Sequence, residues 1–195
     1  MEGRSRADMV YGYVQSKLIY LKSISETGPG KGMLANLRRG LGKKPGELPE
    51  LWGMIFDRIP EELMGRNEAS YAEWAVYTAL TLYALHSQSS EADMDAEDVS
   101  VGAAAASLIG SEDDAPRILG RLNTVVTSNS PEDLAYHLRG LVQLFKTEGI
   151  GLGYARLAKE LYLFNDPVRA NDIKLRWGRD FYNRKYRNEK EGEKK

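Results

Sequence analysis

Cysteine is absent from the 195 residues of this sequence, so the chain forms no disulfide framework and offers no thiolate for chemistry. A run of apolar residues long enough to span a bilayer is also missing, and the polar first residues do not resemble a secretory signal segment. We therefore expect no contact with a membrane, and the simplest location is the cytoplasm.

Lysine and arginine are absent from residues 67–116, a stretch that contains ten acidic residues. All 27 basic residues lie in the two flanks, 11 before position 67 and 16 after position 116, although the net charge is only −1. A chain that separates its charges in this way can present a basic face while it stays near neutral overall. The distribution therefore keeps nucleic-acid binding open, which the net charge alone would disfavour.

Histidine is scarce, and its surroundings do not resemble a catalytic or metal site. His86 and His137 lie apart from carboxylates at metal-ligand spacing. The glycine-rich segment 28–32 lacks the Ser or Thr of a phosphate-binding loop, and 149–153 lacks dinucleotide spacing. The sequence predicts a protein that is not an enzyme and has no catalytic residue, metal, cofactor or small-molecule substrate. Two alternatives stay open: distant acids could complete a two-histidine metal site, or a pocket could bring one histidine against two carboxylates.

Apolar residues recur at helical spacing along most of the chain, and no stretch alternates as a strand does. The pattern predicts a first helix at 6–24, a glycine-rich loop at 26–32, a short helix at 33–39 and a buried central helix at 70–88. Serine followed by proline and two acids at 130–133 predicts a strong helix start. We expect an all-α protein, a compact helical bundle of about eight helices.

The domain organisation follows from this pattern. We predict one helical domain over 1–187, with a division into packed sub-bundles 1–110 and 111–187 as the alternative. The remaining residues, 188–195, are almost all charged or polar, and we predict that they form a flexible tail.

The stretch 172–186 combines large aromatic residues with arginines. Ile173, Trp177 and Phe181 are four residues apart and should form one buried stripe of a helix. Arginines at its edge would suit a phosphate backbone. The alternative is equally strong, because Arg176 is spaced to form surface salt bridges with Asp172 and Asp180.

Basic residues cluster on several predicted helical faces and in one loop. Any single pair is typical of a solvated surface, but several clusters in a chain that excludes basic residues from its middle favour phosphate binding without base recognition. The candidate nucleic-acid-binding residues are Arg38, Arg39, Lys43, Lys44, Arg117, Arg121, Arg139, Lys146, Arg156, Arg169, Lys174, Arg176 and Arg179.

Four stretches of the chain resemble the CasB family. In chain order they are LRRGLGKKPGELPELW at 37–52, ALTLYALHSQS at 79–89, HLRGLVQL at 137–144 and WGRDFY at 177–182. CasB proteins are the small subunit of the type I-E CRISPR Cascade surveillance complex. Each motif is modest alone, but the four in this order are specific.

The resemblance implies an all-helical subunit without nuclease activity, present in two copies arranged head to tail. The implied partners are the other Cascade subunits, the guide RNA, and the target and non-target DNA strands. The leading hypothesis is a subunit that binds nucleic-acid backbone and stabilises the guide–target hybrid and the displaced strand in antiviral defence. The alternative is a helical assembly module whose basic patches contact acidic protein surfaces, such as 67–116 of a neighbouring copy.

Overall fold

The structure, a computed structural model, describes residues 5–111 and 113–192, with side chains described as far as residue 186. Within these ranges the chain forms nine α-helices and no β-strand, apart from one isolated bridge between Asp95 and Leu152. The helices are α1 (Arg6–Ile24), α2 (Gly28–Arg39), α3 (Trp52–Phe56), α4 (Tyr71–His86), α5 (Val101–Ser107), α6 (Asp114–Val126), α7 (Pro131–Glu148), α8 (Tyr154–Leu163) and α9 (Pro167–Gly192). The predicted all-α class is confirmed.

Helix α4 lies at the centre of the bundle, as its apolar sequence predicts. It contacts α1, α2, α7 and α8, and nearly all of its side chains are buried. A reciprocal capping box fixes its start: Ser70 Oγ accepts a hydrogen bond from the backbone N–H of Glu73, and Glu73 Oε2 accepts one from Ser70. Helices α2 and α7, which carry Arg38, Arg39, Arg139 and Lys146, both pack on this central helix.

One cluster of buried apolar residues extends from α1 to α9. Helix α1 packs on α8, and α5 packs on α9. This shared core supports the proposal that 1–187 is one domain. The backbone of α9 continues to Gly192, so it enters the segment 188–195 that the sequence predicts as a tail; residues 193–195 lie outside the described residues, as do 1–4 and Glu112.

The expected loop at 26–32 is wrong, because α2 already begins at Gly28. Thr27 caps this helix, and its Oγ1 accepts a hydrogen bond from the backbone N–H of Gly30 at 3.1 Å. Pro29 occupies the first turn, where a missing N–H costs nothing. The cap and the proline therefore outweigh the glycines that suggested a loop.

The predicted stripe on the last helix is confirmed. Ile173, Trp177 and Phe181 are all buried in the core. Helix α5 approaches α9 very closely at Gly102, where an added Cβ would lie 2.0 Å from the carbonyl oxygen of Trp177. This close packing fixes the position of α9. In the part of the chain that is described, no helix combines the length and the apolar character needed to cross a membrane.

Candidate nucleic-acid interface

Two arginines from neighbouring helices meet in a groove between α6 and α7. Arg121 of α6 and Arg139 of α7 line this α6–α7 groove together with Thr124, Tyr136, His137 and Gln143. Nη1 of Arg121 lies 3.9 Å from the place where a Cβ would stand on Gly140, so the side chain reaches across to α7. Neither arginine forms an ion pair with a described residue, and no described acidic side chain lines the groove.

A second depression, the α4–α7 cleft, adjoins this groove. It shares Tyr136 and Arg139 with the groove, and it is also lined by Leu41, Lys43, Lys44, Glu47, Trp74, Tyr77, Leu82 and Glu132. Lys43 pairs with Glu47 at 3.7 Å, and Lys44 pairs with Glu132 at 3.8 Å. The cleft is therefore more apolar and closer to neutral than the groove.

Specific backbone contacts hold the loop that carries the two lysines. Tyr77 donates a hydrogen bond to the carbonyl of Gly40 at 2.7 Å, and Trp52 Nε1 donates one to the carbonyl of Gly46 at 2.9 Å. Gly42 and Gly46 have φ values of 80° and 92°, a conformation that favours glycine. The lysines are thus presented from a loop anchored on α4.

Arg38 and Lys146 lie near the C-terminal end of α4. Arg38 donates to the carbonyl of Ala84 at 3.3 Å, and burial lowers the pKa of its guanidinium. Lys146 donates to Oε1 of Gln88 at 3.2 Å and follows Arg139 by two turns on α7. Arg39 turns instead toward Glu50, at 3.5 Å. These contacts bring Arg38 and Lys146 to the same end of α4.

The basic residues of α8 and α9 surround a buried carboxylate. Glu160 accepts hydrogen bonds from Trp177 Nε1 at 2.7 Å and from Arg156 Nε at 3.0 Å, and Arg176 Nη1 lies 3.6 Å away. Arg156 also contacts Asp180 at 3.3 Å. The alternative reading of this helix, in which Arg176 pairs with Asp172 or Asp180, finds the wrong partner: among the described residues, Arg176 pairs with Glu160 of α8.

Sequence reasoning missed the role of Glu160. A usable signal was present, because Glu160 follows Arg156 by four residues, the spacing of an ion pair on one helix face, and the residues on either side of it in sequence are mostly apolar. The contact of Glu160 with Trp177 joins two helices and could not be read from spacing.

The other candidate cations divide into paired and unpaired ones. Arg117 pairs with Asp114 at 2.7 Å, a hydrogen bond that is the main reason why the pKa of Asp114 is lowered. Arg169 lies 3.9 Å from Asp166. Lys174 and Arg179 form no ion pair with any described residue. Of the thirteen candidates, the groove and the cleft bring together four: Lys43, Lys44, Arg121 and Arg139.

The acidic segment 91–98 is held against the rest of the protein. Lys22 lies 2.8 Å from both Asp93 and Asp95, and Tyr11 donates a hydrogen bond to Glu97 that raises the pKa of the tyrosine to about 12. Asp95 also accepts from the backbone N–H of Tyr154 at 3.0 Å. Much of the negative charge of this segment is therefore already paired with side chains of the same protein.

The two histidines occupy different environments. His86 is fully buried at the end of α4, its Nδ1 lies 2.9 Å from the hydroxyl oxygen of Tyr154, and burial lowers its pKa to about 4. His137 lines the α6–α7 groove with its ring against Tyr136. Over residues 5–111 and 113–192, no three histidine or carboxylate side chains are grouped so that they could hold a metal ion.

Comparisons with known proteins point to one family. The family model for the CRISPR-associated protein Cse2 matches residues 33–182. The crystal structure of CasB from Thermobifida fusca is similar at 30% identity and a TM-score of 0.77, covering 89% of this chain and 97% of that one. A comparison with curated proteins gives no match.

Two more distant structures share the fold. CasB of M. ruber has a TM-score of 0.71 at 24% identity, covering 91% of this chain and 97% of that chain. CasB from Thermus thermophilus has a TM-score of 0.67 at 21% identity, covering 87% and 97%.

Proposed function

The chain belongs to the Cse2 (CasB) family of CRISPR-associated proteins, and from this we propose that it is a non-catalytic small subunit of a type I-E Cascade complex. In this role it binds nucleic-acid backbone without sequence preference and stabilises the guide RNA–target DNA hybrid and the displaced strand. Its partners are the other Cascade subunits, a second copy of itself arranged head to tail, the guide RNA and both DNA strands. It acts in the cytoplasm as part of antiviral defence.

The observation that carries this proposal is the α6–α7 groove. Arg121 and Arg139 both line it without an acidic partner among the described residues, whereas most of the other candidate arginines are paired with an acid. A guanidinium group without a carboxylate partner attracts phosphate, and it can bind two phosphate oxygens at once. Two such groups on adjacent helices suit one stretch of phosphate backbone.

This kind of contact fits a complex in which base pairing with a guide RNA reads the sequence. Contacts to phosphate fix position and supply affinity, but they do not distinguish one base from another. The subunit then needs only a charged surface of the correct shape. Arg38 and Lys146 extend the basic surface beyond the groove, and Lys174 and Arg179 offer a further contact on α9. Lys43 and Lys44 add less attraction, because each has a carboxylate partner in the α4–α7 cleft.

Arg156 and Arg176 have a different part in this proposal. Both contact the buried Glu160, and Arg156 is also bonded to Asp180 and to the carbonyl of Asp98. Their charge is largely balanced inside the protein. We assign them the positioning of α9 against α8 rather than phosphate binding.

The alternative function, an assembly module in which basic patches contact acid-rich neighbours, has less support. Asp93, Asp95 and Glu97 are bound to Lys22 and Tyr11 of their own chain. A neighbouring copy would have to compete with these internal contacts. Nuclease treatment of the assembled complex separates the two functions, because protein–protein contact through the basic patches would leave the assembly intact.

The test uses the assembled complex with guide RNA and a matched pair of double variants. In Arg121→Gln/Arg139→Gln, we expect the complex to assemble and to bind target DNA at least about tenfold more weakly, because two phosphate contacts are lost. In Arg6→Gln/Lys31→Gln, which removes the same charge from exposed positions on α1 and α2, we expect unchanged affinity. Equal binding by both double variants, measured by fluorescence anisotropy, would refute the role of the groove.

A further inference from the structure

Tyr136 is an aromatic side chain that the core does not use. Its exposed fraction is 73%, the highest among the large apolar side chains of the described residues, together with Val168. It lies on α7 one turn after Glu132 and three residues before Arg139, at the boundary between the α6–α7 groove and the α4–α7 cleft. The ring packs edge to face on His137, with ring centres 5.2 Å apart and planes at 77°. One neighbour thus braces the ring while most of it stays accessible.

The two depressions on either side of this ring differ in chemistry. On the groove side lie Arg121 and Arg139, without an acidic lining residue among those described. On the cleft side lie the apolar and aromatic surfaces of Leu41, Trp74 and Tyr77. The hydroxyl of Tyr77 already donates to the carbonyl of Gly40, so this wall of the cleft is fixed in place.

Charge favours phosphate in the groove rather than in the cleft. The cleft contains the carboxylates of Glu47 and Glu132, each close to a lysine, which leaves little attraction for an anion there. The groove has two arginines and no described carboxylate. A ligand with an anionic end and a flat apolar end would therefore place the anion in the groove and the flat group in the cleft.

We propose that this site holds one nucleotide of a single-stranded nucleic acid, with its base stacked on Tyr136 and its phosphate bound between Arg121 and Arg139. The proposal rests on the proposed function and narrows it to a strand whose bases are accessible. A nucleobase has an apolar face whatever its identity, so stacking adds affinity without adding sequence specificity. Duplexes keep their bases inside the stack and can offer only phosphate to the arginines.

A binding assay tests this proposal by comparing the affinity of the full chain for a fluorescent single-stranded oligothymidylate with its affinity for a duplex of equal length. Tyr136→Ala is compared with Tyr136→Phe, which keeps the ring, and with Tyr71→Ala, another exposed tyrosine whose cleft has no cationic lining residue. We expect Tyr136→Ala to weaken single-strand binding about 5- to 150-fold, the loss typical of one stacked base. Its duplex binding should match wild type, and both control variants should behave as wild type on both ligands.

A second measurement identifies the contact directly. An oligonucleotide that carries 5-iodouracil should form a photochemical cross-link to Tyr136, which peptide mass spectrometry can locate. A cross-link to the peptide containing Tyr136 supports stacking at this position. Its absence, with efficient cross-linking elsewhere, overturns the proposal.

The outcomes separate this inference from the proposed function. If wild type shows no salt-dependent binding to either ligand, the proposed function fails. If wild type binds and loss of Arg121 and Arg139 weakens binding, but Tyr136→Ala does not, only the stacking proposal fails. An equal loss on single strand and duplex would also overturn it, because the ring would then support the arginines instead of a base.

Discussion

Glu160 connects the two helices that close the C-terminal half of the protein. Its exposed fraction is 1%, and a carboxylate can stay in such a place only when it is well paired. Trp177 and Arg156 donate hydrogen bonds to this carboxylate, and the guanidinium of Arg176 forms an ion pair with it. The side chain is therefore part of the packing between α8 and α9 rather than part of the surface.

Replacing Glu160 by Ala should destabilise the fold by about 3 kcal/mol, because it leaves the buried indole N–H of Trp177 and the Nε–H of Arg156 without an acceptor. Glu160→Gln keeps an acceptor of the same shape and should cost less. Glu26→Ala is the control, because Glu26 is exposed and its ion pair with Lys31 lies at the surface; this variant should stay within about 0.5 kcal/mol of wild type. Urea denaturation measures all three, and a Glu160→Ala protein as stable as the control would show that the carboxylate is dispensable.

Sequence reasoning at the residue scale succeeds for burial and fails for partners. The spacing of Ile173, Trp177 and Phe181 predicts their burial because a helix has a fixed period. The same spacing pairs Arg176 with acids on its own helix, while the structure gives it an acid from α8. A tertiary contact of this kind depends on how two helices are placed, and local spacing does not contain that information.

At the scale of elements, the contact between α5 and α9 depends on one glycine. The absence of a side chain at Gly102 lets the backbone of α9 come so close that a Cβ would lie 2.0 Å from the carbonyl oxygen of Trp177. No flexible side chain is involved there, so the helices themselves would have to move. Gly178, on α9, has open space where its Cβ would stand.

These two glycines should respond in opposite ways to the same substitution. Gly102→Ala should destabilise the protein by at least about 2 kcal/mol, because it forces α5 and α9 apart. Gly178→Ala should stabilise it by up to about 1 kcal/mol, because alanine favours a helix and meets no neighbour. Thermal unfolding followed by circular dichroism gives both values. A Gly102→Ala protein that melts with wild type would mean that the two helices do not pack this closely.

A helix start with a polar cap could be predicted from the sequence, except where glycines follow the capping residue. Ser130 caps α7 as its sequence predicts, with a hydrogen bond from the backbone N–H of Asp133. Ser100 caps α5 in the same way, with a hydrogen bond from the backbone N–H of Ala103. Thr27 caps α2 in the same way, but the glycines after it suggested a loop. Glycine weakens a helix without forbidding it, and the packing of α2 on α4 supplies what the composition lacks.

At the scale of the whole molecule, the location of charge is more informative than its sum. The net charge is −1, and most surface cations near an acid attract phosphate weakly. The segregation of basic residues from 67–116 predicted a basic face but could not show which residues form it. Lys43 and Arg139 are far apart in the chain, and only the packing of α7 against α4 brings them into one cleft.

Binding by the isolated protein should therefore depend on which cation is removed and not on the change in net charge. Arg139→Gln and Lys31→Gln both change the net charge from −1 to −2, by removing one positive charge. For a single strand, each phosphate contact contributes about 0.7 to the slope of log affinity against log salt concentration. We expect Arg139→Gln to reduce the slope by about this amount. Lys31 does not line the groove and pairs with Glu26, so Lys31→Gln should leave the slope unchanged. Equal slopes for the two variants in a salt titration would mean that the protein attracts nucleic acid through its overall field, because a localised contact must distinguish them.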